Sequence, residues 1–308
     1  LASSGIDNVN IVDEQIHPLD NSSLSDLIMF LQKPRIIGIS VLTLNCGRAY
    51  ELACEIKKID QESTIVLGGI HPTVVTDEVL AKEGIDIVVR GEGEETFKEL
   101  VQLILDRKDY KNIQGISYKQ NGKCVHNPDR SLIQNLDSIP PFPYFMFEKD
   151  LDKYPNFSGV FGSRGCPYQC TFCSSRSISG KKYRYHSVER VIHEIKTLVR
   201  KYKQESIFLM DDNIAVHGKH FKELCSAIKK ENLHRDAFFH GSLRGDNATD
   251  DVLDMAYEAN FKILYYGLET GSEDLMATIN KGETVAAVGD AIKRSAKKGF
   301  SVGTTIIF

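Results

Sequence analysis

Short apolar runs alternate with stretches of helical spacing along most of this chain. Over residues 1 to 110 the runs Val9–Asp13, Ile36–Ser40, Thr64–Leu67 and Ile85–Val89 read as strands. Ile36–Ser40 is continuous enough to predict burial on both faces. Between the runs, Leu52, Ala53, Ile56 and Ile59 recur at helical spacing across 49–59, and further helices are predicted around 77–83 and across 94–105. Strand–helix alternation with short connections predicts a parallel, doubly wound sheet, whose ligands bind beyond the carboxyl ends of its strands. Small and polar residues gather at those ends: Ser40, Leu42 and Thr43; Gly68, Gly69, His71, Pro72 and Thr73; Gly91, Glu92, Gly93 and Glu94.

The pattern then changes. Residues 115–118 and 123–125 flank Asn121-Gly122, the signature of a hairpin with a type I′ turn. Pro140, Pro141 and Pro143 follow; none continues a helix or a central strand, so an extended connector is expected. From residue 158 strand–helix alternation resumes. Strands are predicted to end at Val160-Phe161, to span 206–210, to begin at Ala237 and end near Arg244, and to span 263–267 and 301–308. Helices fall between them. Val188, Val191, Ile192, Ile195, Leu198 and Val199 form one apolar stripe after an N-cap at Ser187; Phe221, Leu224, Cys225 and Ile228 form another, with Cys225 in the core. Residues 250–258 and 285–298, the latter capped by Thr284, complete the set. Five strands in one sense make a partial βα barrel, and barrel sites lie at the carboxyl rim. The expected division is 1–136, a linker at 137–157, and 158–308.

Composition narrows the class. The chain is 42% hydrophobic and 26% charged, with net charge −4, an ordinary globular balance without the basic footprint of a nucleic-acid binder. No apolar run reaches 18 residues, so no membrane span is expected, and no signal peptide is seen. The first residue is Leu1 and the last residues form an apolar run, which reads as a fragment with five of about six barrel strands.

The chemistry concentrates in Cys166-Pro-Tyr-Gln-Cys170-Thr-Phe-Cys173, opened by Gly162-Ser-Arg-Gly165. Four cysteines close a cubane cluster as an electron carrier, whereas three leave one iron open for chemistry. A three-ligand zinc site with an open position, or three unligated thiols, are the alternatives. The other cysteines are scattered. Cys46, Cys54 and Cys124 are expected as small buried hydrophobes, a second cluster being the lesser alternative. His17 is expected to face solvent, and Tyr183 and Tyr185 to pack rather than react.

The C-x3-C-x2-C spacing, with Phe172 before the last cysteine, resembles the signature of the radical S-adenosylmethionine (SAM) enzymes. The chain as a whole is similar to their cobalamin-binding subgroup, in which a Rossmann-like (flavodoxin-like) domain precedes a partial (βα)6 radical SAM barrel. The Gly-Gly-x-His-Pro-Thr and Gly-Glu-Gly-Glu runs and the Leu136-Asp-Ser-Ile-Pro140-Pro-Phe-Pro143 connector share in that likeness. The resemblance implies that Cys166, Cys170 and Cys173 ligate a [4Fe–4S] cluster whose open iron binds SAM. One electron then releases a 5′-deoxyadenosyl radical. It further implies cobalamin at Ser40, Leu42, Thr43, Gly68, Gly69, His71, Gly91 and Glu92. His71 would be structural rather than an axial cobalt ligand, and the axial-histidine element belongs before Leu1. SAM would meet Phe172, Asp211, Asp212, Arg244 and Glu269, where Asp211-Asp212-Asn213 replaces the more usual Gly-Gly-Glu. The implied reaction is methylation of an unactivated carbon of a small molecule through methylcobalamin. A cyclase like the anaerobic magnesium-protoporphyrin monomethyl ester cyclase is the runner-up, and a non-catalytic cobalamin or cluster sensor the rival of another class. A one-electron donor such as flavodoxin or ferredoxin, no nucleic acid, and a reducing cytoplasm complete the expectation.

Overall fold

The computed structural model of the chain describes residues 1, 5–6 and 8–307, which divide into two compact units. Unit 1 comprises the described residues up to Ile133 together with Ser174–Ser179; unit 2 comprises Gln134–Cys173 and the described residues from Gly180 onward.

Unit 1 is a five-stranded sheet between helices. In chain order it contains α1 (Asn21–Phe30), β1 (Ile36–Ser40), α2 (Cys46–Ile59), β2 (Thr64–Gly68), α3 (Ile70–Val74), α4 (Thr76–Ala81), β3 (Ile87–Val89), α5 (Gly93–Leu105), β4 (Ile116–Gln120) and β5 (Lys123–His126). The strands lie in sequence order, β1 to β3 parallel and β3 to β5 antiparallel. One face packs Ile65 and Leu67 against Leu24, Ala53, Ile56 and Leu80; the other packs Val66, Ile87 and Val89 against Leu100 of α5. Such two-sided burial is what a continuous apolar strand like β2 requires. The hairpin turn has φ 53° at Asn121 and 74° at Gly122, the left-handed pair of a type I′ turn.

Two expectations fail here. Residues 9–13 form no strand; Ile11 and Val12 are exposed, and an apolar run of this length does not hold a strand without a partner. Ile36–Ser40 does form β1, but at the sheet edge and only half buried, so its apolar continuity overstated its burial.

Unit 2 holds β6 (Gly159–Val160), β7 (Ser163–Arg164), then after α6 (Ser175–Ser179, grouped with unit 1) β8 (Arg184–Tyr185), α7 (Val188–Lys196), β9 (Ser206–Leu209), α8 (Gly218–Lys230) and α9 (Leu233–Asp236). It continues with β10 (Phe238–Leu243), α10 (Asp250–Glu258), β11 (Phe261–Glu269), α11 (Glu273–Thr278), α12 (Val285–Lys298) and β12 (Ser301–Ile306). Strands β6-β9-β10-β11-β12 make one parallel sheet in sequence order. Phe239, Leu264 and Tyr266 on its outer side pack under the helices with Phe221, Leu224, Cys225 and Val288. Ser187 caps α7 and Thr284 caps α12, each accepting from the third backbone N–H beyond it. α7 continues as one turn of π-helix at Thr197–Lys201. The last strand ends at Ile306; Phe308, where it was expected to end, lies outside the described residues.

The proline segment is not simply extended. Beyond Pro143 the chain winds into a 3₁₀ helix at Tyr144–Lys153, and Tyr144 is buried in the core of unit 2. Prolines forbid helix only at and just before themselves, so the residues after Pro143 were free to wind.

Candidate functional site

In unit 2 the carboxyl ends of the parallel strands carry the cysteine loop. β7 pairs with β8, Ser163 opposite Tyr185 and Arg164 opposite Arg184, and this short ladder delivers the chain to Gly165. Gly165 has φ 86°, a left-handed bend that suits glycine and turns the backbone into Cys166. The base of the loop is held by Asp211, at the end of β9. Its carboxylate accepts from Gly162 N–H (3.1 Å) and from the Ser163 hydroxyl. Asp211 is fully buried, and burial pushes its carboxyl up to about 6 despite those two donors.

Cys166 and Cys170 are half buried and Cys173 exposed, all with free thiols. Burial raises the Cys166 thiol, and the charges of Asp212, Cys173 and Cys170 raise it further. Burial also raises Cys170, while the Lys281 and Arg244 charges draw it back. Phe172 projects from the loop with its ring exposed. Among the described residues no three His, Cys, Asp or Glu side chains close around one metal-binding point; the three thiols share a loop without converging.

The predicted rim residues fall into different surroundings. Asp212 is exposed and its charge bears on Cys166, whereas Asp211 is turned into the protein. Arg244 follows β10 and is 7% exposed. Its Nε and Nη2 donate to Asp246 (3.1 and 3.0 Å), its Nη1 donates to Lys281 O (2.9 Å), and Glu283 lies 3.3 Å away. Burial alone would lower its affinity for the proton; Asp246 and Glu283 overcome that and hold the guanidinium charged. The guanidinium lies 3.5 Å over the Tyr168 ring, inside the cysteine loop, and Tyr168 OH donates to Asn247 Oδ1 (3.0 Å). Glu269 ends β11, buried, with Oε1 on Lys281 Nζ (2.9 Å). The Tyr183 and Tyr185 rings meet at a tilt 6.0 Å apart, and Tyr185 meets His220 at a tilt 4.2 Å away, a packing arrangement.

Sequence reading missed Ser163, Tyr168, Asn247, Lys281 and Glu283, all of which build this rim. Tyr168 was inside the motif already recognised. Lys281 and Glu283 sit in an Asn280-Lys-Gly-Glu turn between two helices, where only the Asn and Gly hinted at a tight bend.

In unit 1 the carboxyl end of the sheet gathers the other predicted set. Gly69 has φ 100°, and a Cβ there would lie 2.9 Å from Val41 O. The protein's own backbone therefore demands glycine at 69, without need of a ligand. Gly68 meets only ordinary contacts from Val89. His71 is buried, and both its nitrogens are engaged. Nε2 lies 2.7 Å from Tyr50 OH and Nδ1 3.3 Å from Thr43 Oγ1. It orients Thr43 rather than offering a nitrogen outward. Thr73 Oγ1 donates to Gly69 O (2.8 Å) and accepts from Gly91 N–H (3.1 Å), joining the ends of β2 and β3. Glu92 points into the unit, where it accepts from Ile133 N–H (2.9 Å). Ser40, Leu42 and Thr43 are exposed, as are the apolar Leu44 and Val74. A surface of exposed leucine and valine beside hydroxyls suits a large, partly apolar ligand.

Among the described residues the remaining cysteines are not gathered into a metal-binding group. Cys46 and Cys54 are half buried on α2; Cys124 is exposed on β5, against the expectation of a buried hydrophobe, because its alternate position on the edge strand faces solvent. His17 is exposed, as expected.

Two family models match the chain, the Radical SAM superfamily over residues 160–308 and the B12 binding domain over residues 4–101. An uncharacterized methyltransferase of Pyrococcus horikoshii is 37% identical over 305 residues, covering 97% of this chain and 66% of its own length. The anaerobic magnesium-protoporphyrin IX monomethyl ester cyclase of Rubrivivax gelatinosus is 28% identical over 92% of this chain and 52% of its own. A hopanoid C-3 methylase of Methylococcus capsulatus is 25% identical over 96% of this chain and 57% of its own. The chain thus spans two thirds or less of these relatives. Among solved structures it shares its fold with the radical SAM methyltransferase TsrM of Kitasatospora setae (TM-score 0.84, 15% identity, 99% of this chain and 62% of that one). It shares it also with the cobalamin-dependent SAM radical enzyme OxsB (TM-score 0.83, 20% identity, 96% and 44%). A radical SAM domain is one that takes a [4Fe–4S] cluster and SAM, and a B12 binding domain one that takes cobalamin. The donor set fits the first group: three soft thiols within eight residues, with the Lys281 and Arg244 charges beside them. The exposed apolar and hydroxyl surface at the carboxyl end of unit 1 fits the second. The chain belongs to the cobalamin-binding radical SAM superfamily.

Proposed function

We propose that the chain is the two-cofactor part of a radical SAM enzyme that makes a 5′-deoxyadenosyl radical and methylates an unactivated carbon through methylcobalamin. The observation that carries this reading is the cysteine loop at the carboxyl rim of a parallel sheet, with Asp212 exposed beside it and Arg244 and Glu269 on the same rim. Cys166, Cys170 and Cys173 would hold the cluster, which when bound supplies the electron that breaks the sulfonium C–S bond of SAM. The exposed Asp212 would face the SAM ammonium. Arg244 is committed to Asp246, Glu283 and Tyr168, so its part is to brace the loop rather than to grip SAM. In unit 1, Thr43, oriented by His71 and Tyr50, and the exposed Leu42 would hold cobalamin. The protein's contribution is placement and exclusion of water and oxygen.

Methyl transfer is favoured over ring formation because the 37% identical relative is named a methyltransferase and the cyclases are more distant. A small-molecule substrate, a one-electron donor protein and a cytoplasmic setting belong to the same reading. No helix among the described residues is long and apolar enough to cross a membrane.

The test is anaerobic reconstitution with iron, sulfide and cobalamin, followed by SAM and a reductant. 5′-Deoxyadenosine marks radical chemistry, and S-adenosylhomocysteine beside it marks methyl transfer. 5′-Deoxyadenosine alone would favour the cyclase, and neither product with both cofactors bound would favour a sensor. Cys166→Ala, Cys170→Ala and Cys173→Ala are each expected to abolish both products.

A further inference from the structure

The turn between α11 and α12 is built into the cysteine loop at two points. Thr171 N–H donates to Ile279 O (2.9 Å), and Asn280 Nδ2 donates to Gln169 O (3.2 Å). Asn280 (φ 52°) and Gly282 (φ 74°) are both left-handed, and Lys281 between them is buried. Lys281 Nζ donates to Glu269 Oε1 at 2.9 Å, with the two side chains 6% and 9% exposed. The backbone of the same lysine is fixed too, since its carbonyl accepts from Arg244 Nη1. Glu269 is itself left-handed at φ 62°, uncommon for a residue with a side chain, and its second oxygen accepts from Thr305 Oγ1 (3.3 Å). A Cβ at Gly267 would meet Glu269 Oε1 and Lys281 Nζ, so any larger residue there would displace the ion pair.

Stability alone does not explain this construction. A buried ion pair is often no better than apolar residues of the same size, because desolvation offsets the attraction. Here the pair also carries a left-handed glutamate, a backbone conformation strained for a residue with a side chain. The place of the pair offers another reason. It lies at the end of β11, on a turn hydrogen-bonded to the loop that carries Cys170 and Cys173. Reduction of a cluster adds negative charge, and fixed charges around a cluster set its potential. In a buried site such charges are poorly screened.

We propose that Lys281 is a positioning residue whose buried ammonium sets the reduction potential of the cluster held by Cys166, Cys170 and Cys173, and that Glu269 fixes the ammonium in place and partly offsets its charge. The inference rests on the radical SAM reading. It does not require SAM or substrate to be bound. The electron in question comes from a low-potential one-electron reductant, dithionite in the test.

The test rebuilds the cluster anaerobically in the whole chain, without SAM, and follows its reduction by electron paramagnetic resonance at a series of fixed poises. Iron and sulfide contents are measured for every sample. At the poise that half-reduces the wild type, Lys281→Gln is expected to lower the reduced-to-oxidised ratio by about threefold or more. Glu269→Gln keeps an acceptor for Thr305 and is expected to raise the ratio by a similar factor. Lys281→Arg should stay near the wild type. Opposite signs in the two glutamine variants, at equal cluster content, are what a structural role would not produce. Shifts of the same sign, or none, in intact clusters overturn the Lys281 assignment and leave the radical SAM reading standing. A Lys281→Gln chain that loses its cluster leaves the sign of Glu269→Gln to decide. A wild-type chain that takes up no iron and sulfide overturns both.

Discussion

Asp211 shows how one residue serves the site by holding the base of its loop. It is the first of the two acids after β9, and both were expected to face SAM. Its carboxylate instead accepts from Gly162 N–H and Ser163, fixing the entry to the cysteine loop. With its carboxyl at about 6 rather than 3.8, the folded chain holds a proton that the unfolded chain has released across that interval. Stability contributed by this group is therefore greatest below about pH 4 and is lost as pH rises through about 6. At 1.36 kcal/mol per unit the loss is on the order of 3 kcal/mol. Asp211→Asn keeps an acceptor for Gly162 and cannot titrate. Denaturant midpoints taken from pH 4 to 7 should show a flatter profile in that variant, and an unchanged profile would refute the assignment. Gly69 makes a second argument at this scale. Alanine there must adopt φ 100° with its Cβ 2.9 Å from Val41 O. Gly69→Ala is expected to destabilise unit 1 by roughly 1–3 kcal/mol, read as a lower thermal midpoint. Gly68→Ala, which meets only ordinary contacts, should be milder.

The elements follow the apolar pattern closely where a stripe is long. α10 and α12 occupy the residues their periodicity predicted, and Thr284 caps α12 by accepting from Ala287 N–H. Thr284→Ala should cost about 1 kcal/mol, seen in chemical denaturation. A loss well beyond that would mean the turn at 279–283 depends on the cap. The cysteine motif and the rim positions of Asp212, Arg244 and Glu269 were legible because spacing and strand ends can be counted along a chain. What was not legible were partners. Nothing in the spacing said that Arg244 would brace Tyr168, or that a turn between helices would present Lys281 to Glu269. These pairings join residues 76 and 12 positions apart, and tertiary geometry alone decides them. The run at 9–13 failed for the converse reason: its composition favoured a strand, but a strand exists only where another strand pairs with it.

At the scale of the whole molecule, each unit builds its proposed cofactor surface from its own residues. The cysteine loop takes its supports from Asp211, Arg244 and the 279–283 turn, all within unit 2. The Thr43–His71–Tyr50 chain and the Thr73 bridge to Gly91 lie within unit 1. Loading of the two cofactors should therefore dissociate cleanly under mutation. Cys166→Ala should lose iron and sulfide yet bind hydroxocobalamin with wild-type affinity, followed by its visible spectrum. His71→Ala, which frees Thr43 and strands Tyr50, should weaken cobalamin binding by about tenfold, the scale of losing a supporting hydrogen bond, while iron content stays at the wild-type value. Binding at 100 times the dissociation constant adds about 2.7 kcal/mol to the fold that binds. Hydroxocobalamin should thus raise the thermal midpoint of the Cys166→Ala chain as much as that of the wild type, and that of His71→Ala less. Loss of both cofactors from either variant would show instead that the two sites form and fail together, and the assignment of each surface to one unit would have to be abandoned.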